Sequence, residues 1–330
     1  MDNILDYGIT IVIYIQGLGK WLLVPMQFFS FLGTEEFYLL FMPALYWCLD
    51  AGLGLRVGLM LLVSGSVNQI LKLAFHAPRP YWYDTQVRAW SSESSFGLPS
   101  GHAQNAVAFW GVLAASRRQR WSWNIAIGLM LLIGISRLYL GVHFPSDVIV
   151  GWGIGALVLW AFLRLETPVN KWLKKQRLNT QIVIVFVTSL VPGLISVAIV
   201  TMSGSWQMPV LWIKNAASAI PETDPIEPMR VAEILTFAGA FFGMAAGALM
   251  IFARGGFDTR GSGWQLLIRY IIGLAGVVLI WQGLGSVFPR GEDLLSYSLR
   301  YLRYTLIGFW MVAGAPWLFI KLRIAQRSND

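Results

Sequence analysis

Apolar segments of roughly twenty residues recur along this chain, and nothing else in it narrows the fold so far. A segment in lipid must satisfy its own backbone N–H and C=O groups, so it crosses as a helix or as part of a closed barrel. The run "IAIGLMLLIG" at 125–134 is apolar enough to sit in lipid, and spanning helices are expected. They fall at about 36–50, 53–75, 101–115, 122–140 and 147–164, then at about 182–202, 231–253, 267–288 and 304–322. Residues 9–31 are apolar but interrupted by Gln16, Gly17, Gly19, Lys20 and Gln27, and either cross the membrane or lie along its surface. The chain reads as an all-α polytopic membrane protein of nine or ten spans. Only 13% of its residues are charged, against about a quarter in soluble domains.

The net charge is +8. In a soluble protein that excess would point to nucleic acid; here it marks loops on one side of a membrane, and no nucleic-acid partner is expected. Arg117, Arg118 and Arg120 form one basic loop; Arg164, Lys171, Lys174, Lys175 and Arg177 form a second. Arg254 and Arg260 lie in a third, and Lys321, Arg323 and Arg327 in the tail. Counting spans puts all four on one face, which is assigned to the cytoplasm with the C-terminus, in a cell (inner) membrane. The opposite face holds 76–100, 141–146, 203–229 and 289–293, with the acids Glu93, Glu222, Asp224, Glu227, Glu292 and Asp293. A basic cytoplasmic linker at 166–181 is expected to separate a core at 1–165 from a C-terminal transmembrane module at 182–330.

The single cysteine, Cys48, excludes an intrachain disulfide and any Cys-rich metal site. The N-terminal "MDNILDYGIT" shows no basic region and no small-residue cleavage site, so no removable signal peptide is expected. Gly239, Gly243 and Gly247 in "GAFFGMAAGALM" give one helix a small-residue face, suited to close packing within the chain or in a homodimer.

Charged residues inside such a chain are costly unless they are paired or used. Yet "KLAFHAPRP" (72–80), "LPSGHAQNA" (98–106) and "SRLYLGVHFPSD" (136–147) bring Lys72, Arg79, His102, Arg137, His143 and Asp147 to the outer ends of spans. Lys72, Arg79 and Arg137 together suit a phosphate dianion, since guanidinium groups bind its oxygens in bidentate geometry. In "PSGH" Pro99 stiffens a helix entry, Ser100 caps it and Gly101 lets the backbone approach an anion at the positive helix end. Two histidines suit two tasks, one attacking phosphorus as neutral imidazole and the other protonating the leaving oxygen. With Ser146 capping the next helix, Asp147 would lie in its first turn and hold one ring N–H of His143. His76 has no partner in view, and Arg269, Arg300 and Arg303 read as interfacial anchors.

Lys-x6-Arg-Pro, Pro-Ser-Gly-His and Ser-Arg-x5-His-x3-Asp occur here in order, on one membrane face. In this the sequence resembles the type 2 phosphatidic acid phosphatase superfamily, over roughly residues 36 to 165, with nothing comparable at 166–330. The resemblance implies a six-helix core with an outward-facing site, to which about four helices are added here. It implies metal-free hydrolysis of phosphomonoesters or diphosphates through a phosphohistidine. His143 would be the nucleophile, Asp147 its orienting carboxylate, and His102 the general acid and then the base that activates water. Lys72, Arg79, Ser100, Gly101 and Arg137 would bind the phosphate oxygens. Soluble vanadium haloperoxidases share the three signatures, but burial in a membrane argues against that reading.

No cofactor and no metal are expected. A site at the membrane surface, with Trp82 and Trp90 in the adjoining loop, suits a lipid phosphate or diphosphate: polyprenyl diphosphate, phosphatidylglycerol phosphate, phosphatidic acid or a sphingoid base phosphate. Two rivals remain, a phosphotransferase that passes the phosphoryl group to a lipid or sugar hydroxyl, and a transporter whose phosphatase-like half only binds headgroups.

Overall fold

A computed structural model of the chain describes residues 2–117, 119–204, 206–221 and 226–328. Arg118, Glu222 and Asp224, assigned above to loops, lie outside these. No strand occurs among the described residues. The helices are α1 (Asp2–Gly17), α2 (Leu23–Phe31), α3 (Glu35–Ala44), α4 (Ala51–Phe75), α5 (Pro80–Tyr83), α6 (Gly101–Arg117), α7 (Arg120–Tyr139) and α8 (Pro145–Leu173). Then follow α9 (Leu178–Ser203), α10 (Val210–Ala219), α11 (Ala232–Phe252), α12 (Gly263–Val287), α13 (Leu294–Phe309) and α14 (Ala315–Lys321).

Local chemistry sets several of these ends. Pro80 and Pro145 open α5 and α8, where a missing N–H costs nothing. Ser262 and Gln265 form a reciprocal capping box at α12, and Asp293 caps α13 by accepting from Ser296 N at 3.0 Å. Among the described residues seven helices are long and apolar enough to cross a membrane, with α13 and α14 joined through a π turn. Residues 3–17 and 20–31 pass the same test only together, bent by 88°. The stretch 9–31 is therefore neither one straight span nor one surface helix. Nine or ten spans are not confirmed by these lengths: of the expected spans, α6 has 17 residues, and α3 has ten, followed by a five-residue π turn.

The chain forms two compact units, each assembled from separated stretches. The first comprises 1–38, 67–160 and 196–230. Here α2 packs on α7, α6 on α7, and α10 on α5. Gly151 and Gly155 lie against the backbone of Ser100 and Gln104, where a Cβ would come within 2.7 and 2.8 Å of a carbonyl oxygen, so α8 meets α6 closely. The segment 196–230, from the sequence's second half, belongs to this unit: Asn215 Nδ2 donates to Trp82 O at 2.9 Å.

The second unit comprises 39–66, 161–195 and 231–330. Its centre is α11 packed along α13, with Gly239 and Gly243 against the backbone at Tyr301 and Thr305. The small-residue face is thus occupied within the chain. Arg269 is no interfacial anchor: it is 1% exposed and donates to the carbonyls of Ile324, Thr259 and Arg260 at 2.7, 2.8 and 2.9 Å. Arg300 donates to Thr236 Oγ1 at 2.9 Å, and Arg303 lies over the Tyr304 ring.

Candidate active site

The first unit gathers the polar residues of the three motifs. The end of α4 supplies Asn68 and Lys72, the turn before α5 supplies Arg79, and α6 begins at Gly101. Arg137 lies in the last turn of α7, His143 in the turn 140–144, and Asp147 in the first turn of α8. Main-chain bonds tie these segments: Gly97 N donates to Ala77 O at 2.9 Å and Ser100 N to Asp147 O at 2.9 Å.

α8 begins at Pro145, so Ser146 is not its cap. Asp147 sits one turn in and reaches back instead, its Oδ2 accepting from Phe144 N at 2.9 Å. The same oxygen lies 3.3 Å from His143 Nδ1, while His143 Nε2 lies 3.2 Å from Arg79 Nη1. A guanidinium only donates, so Nε2 is the acceptor and Nδ1 carries the proton toward Asp147. This environment selects one tautomer and turns the Nε2 lone pair toward the cations. Burial, then the charges of Arg79, Arg137 and Lys72, hold His143 well below the usual imidazole value, so the ring is neutral.

Arg79 is fully buried, and every N–H has an acceptor. Nε donates to Ser95 O at 2.6 Å, Nη1 to Val142 O at 3.0 Å, and Nη2 to Phe96 O and Ser95 Oγ at 3.1 and 3.2 Å. Trp82, wholly buried, lies at 5.9 Å from it, so that side chain is not available to a lipid tail. Lys72 Nζ donates to Ser95 Oγ at 2.7 Å. Arg137, 1% exposed, donates through Nη1 to Ser30 Oγ and through Nη2 to Glu93. Its Nε is buried without an acceptor among the described residues.

Glu93 is the residue that motif reading missed, noted only as one acid of the outer face. Its carboxylate bonds Arg137 and stands 3.6 Å from Arg79 Nη2. Burial opposes its ionisation, but the charges of Arg79 and Arg137, with smaller ones from His102 and Lys72, outweigh that and hold it down at about 2. Three cations thus stand against two carboxylates, Glu93 and Asp147, which still leaves net positive charge for a further anion.

Ser100 is buried and caps α6 loosely, with Ala103 N 3.4 Å from its Oγ; Asn68 braces that corner by donating to Pro99 O and to Gln104 Oε1 at 3.2 and 2.9 Å. Gly101 lies against Asn68, where a Cβ would stand 3.1 Å from Oδ1. His102 Nε2 is buried and has no partner among the described residues. Leaving such a group unsatisfied costs about 1–3 kcal/mol, which a ligand atom would recover. His76 does have partners: it stacks on Trp206 at 4.5 Å and has Ser203 Oγ 3.4 Å from Nε2. Its φ of 49° is unusual for a residue with a side chain.

A tautomer-fixed imidazole beside three cations is an arrangement whose chemistry suits an oxyanion. Comparison with known proteins gives the family. The PAP2 superfamily model matches residues 53–171, which contain all three motifs, and a model for the transmembrane extension of PAP2 superfamily phosphatases matches 235–327. The chain belongs to the type 2 phosphatidic acid phosphatase (PAP2) superfamily. The likeness therefore extends into the second half, where no motif had been legible.

Human (Homo sapiens) glucose-6-phosphatase 3 is 25% identical over 96% of this chain and 95% of its own length. Phosphatidylglycerophosphatase B of Bacillus subtilis is 33% identical over 36% of this chain and 61% of its own. A crystal structure of a transmembrane PAP2-type phosphatidylglycerolphosphate phosphatase from Bacillus subtilis is similar with a TM-score of 0.41 and 26% identity, covering 48% of this chain and 86% of that one.

Proposed function

We propose that this membrane phosphatase cleaves a phosphate ester or diphosphate through a phosphohistidine on His143, with a membrane lipid as the phosphate's carrier. The observation that carries the mechanism is the line Asp147–His143–Arg79. An incoming phosphate oxygen takes over the Arg79 Nη1–H now given to His143, which frees the Nε2 lone pair for phosphorus. As the N–P bond forms, the P–O bond to the leaving group breaks, and His102 delivers a proton to that oxygen. Lys72, Arg79, Arg137 and the start of α6 at Ser100 and Gly101 stabilise the equatorial oxygens. In the second step His102 takes a proton from water, whose oxygen displaces the phosphate from His143. No metal enters these steps.

A lipid substrate is supported by the apolar helices around the site and by the matches to phosphatidylglycerophosphatase B and sphingosine-1-phosphate phosphatase 2. The basic segments at 117–120 and 164–177 support an outward-facing site by the positive-inside rule. A second reading, a soluble sugar phosphate as substrate, is favoured by one observation: the match to glucose-6-phosphatase 3 runs through both halves of the chain.

The test is phosphate release by the purified chain in detergent with excess chelator, across lipid phosphates, lipid diphosphates and hexose phosphates, beside His143→Ala. Release from lipids that survives chelator and vanishes in the variant is expected. Release from hexose phosphate alone would favour the second reading. Release that needs metal, or that persists in His143→Ala, would overturn the mechanism. Release only when an acceptor alcohol is added would mark a phosphotransferase.

A further inference from the structure

Helix α2 reads LVPMQFFSF, yet the one residue it buries fully is its serine. Ser30 is 5% exposed and its Oγ accepts from Arg137 Nη1, while Nη2 of the same guanidinium donates to Glu93. A planar guanidinium gripped at both terminal nitrogens has its plane fixed, and so the aim of its third edge. That edge is Nε–H, the buried donor left without an acceptor. Three residues on, Gly33 faces His102. A methyl there would come within 3.0 Å of His102 Cδ2 and of Ile133 Cγ2, closer than side-chain carbons ordinarily pack. His102 Nε2 is a second buried atom of the site without a partner among the described residues. One short stretch, outside the matched 53–171, thus backs both of these groups.

We propose that Ser30 and Gly33 are positioning residues of this site: Ser30 sets the guanidinium plane of Arg137 so that Nε–H meets a phosphate oxygen, and Gly33 keeps the His102 ring where Nε2 meets the leaving oxygen. This rests on the phosphatase reading above. The bent N-terminal pair is then part of the reaction centre. The two residues act on different terms, since Arg137 binds the oxyanion in ground and transition states alike, whereas His102 acts only as the ester bond breaks.

The experiment uses the full-length chain in detergent as wild type, Ser30→Ala, Ser30→Thr and Gly33→Ala. It reads kcat, KM, the Ki of orthovanadate as a phosphoryl mimic, and the thermal midpoint with and without orthovanadate. Ser30→Ala should raise the vanadate Ki and lower kcat/KM roughly tenfold, the worth of one hydrogen bond to a charged group, with Ser30→Thr close to wild type. Gly33→Ala should lower kcat several-fold and leave the vanadate Ki within about twofold. An unchanged Ki in folded Ser30→Ala, or a Gly33→Ala whose loss lies wholly in KM, would overturn the proposal. Where Ser30→Ala does not fold, Ser30→Cys keeps the volume with a weak sulfur acceptor and should show the same rise in Ki. If wild type releases no phosphate from any substrate, the phosphatase reading fails, and the vanadate-induced rise in midpoint still reads Ser30. A rise lost in Ser30→Ala upholds the placement; an equal rise overturns it.

Discussion

Two groups of buried arginines occupy this protein, and their partners differ. Arg269 in the second unit gives its N–H groups to main-chain carbonyls of 258–260 and 324, and no carboxylate or imidazole bonds it among the described residues. In the first unit Arg79 gives three N–H groups to main-chain carbonyls as well, but one of its bonds goes to the His143 ring. Arg137 is held by the Ser30 and Glu93 side chains, with its Nε–H left without an acceptor among the described residues. Arg269 fastens the tail and the 258–260 loop to α12. On the function proposed above, the other pair seats an anion. Burial of a charge therefore does not separate structure from chemistry here; titratable side-chain partners and a donor left open do.

Substitutions sharpen that contrast. The largest effect belongs to His143→Ala, which should cut kcat by about a thousandfold or more with the folded yield little changed, since no other group carries the attacking lone pair. Arg137→Lys should follow with roughly a hundredfold loss in kcat/KM, because an ammonium lacks the planar fork that spaces Ser30, Glu93 and a phosphate oxygen around one rigid group. Arg269→Lys should do the reverse, lowering stability by roughly 3 kcal/mol while kcat/KM per folded molecule stays at wild type. A loss of kcat/KM in Arg269→Lys with unchanged stability would break the comparison. Glu93→Gln should cost about tenfold in kcat/KM, as Arg137 loses a charged partner but keeps Ser30.

The smallest effect is one of pH. His143 faces Arg79 on one side and Asp147 on the other, within reach of the charges of Lys72, Arg137 and His102. Its imidazole value is lowered from 6.5 by burial first and those cations second, so protonation is delayed as pH falls. The neutral nucleophile should persist through pH 6.5 and be lost only well below it. Ring NMR of the protein's three histidines, assigned by single His→Gln variants, checks this; a His143 titrating at or above 6.5 would contradict it.

Much of this was legible beforehand, for definable reasons. Long apolar helices announce themselves, and the six ionisable residues of the three motifs had no cheaper explanation in lipid. Those motif residues do converge, within one unit. Glu93 was not legible because its spacing to Arg137, 44 residues, follows no helix or turn period; only the folded loop brings them together. Ser30 was hidden in an apolar run, where a lone serine passes as neutral. Trp82 read as a loop aromatic beside a lipid substrate, because composition does not tell which side of α5 is buried. The second half carried no chemical motif, although 235–327 match a transmembrane extension, and Arg269 looked like any cation near a span end.

The central claim is that His143 takes the phosphoryl group. The most direct measurement is rapid quench of the purified chain with 32P-labelled substrate, followed by peptide mapping. The account predicts an acid-labile, base-stable label on the peptide that holds His143, formed and lost as fast as turnover requires and absent from His143→Ala. Full turnover with no such label, or a label on any other residue, would contradict it.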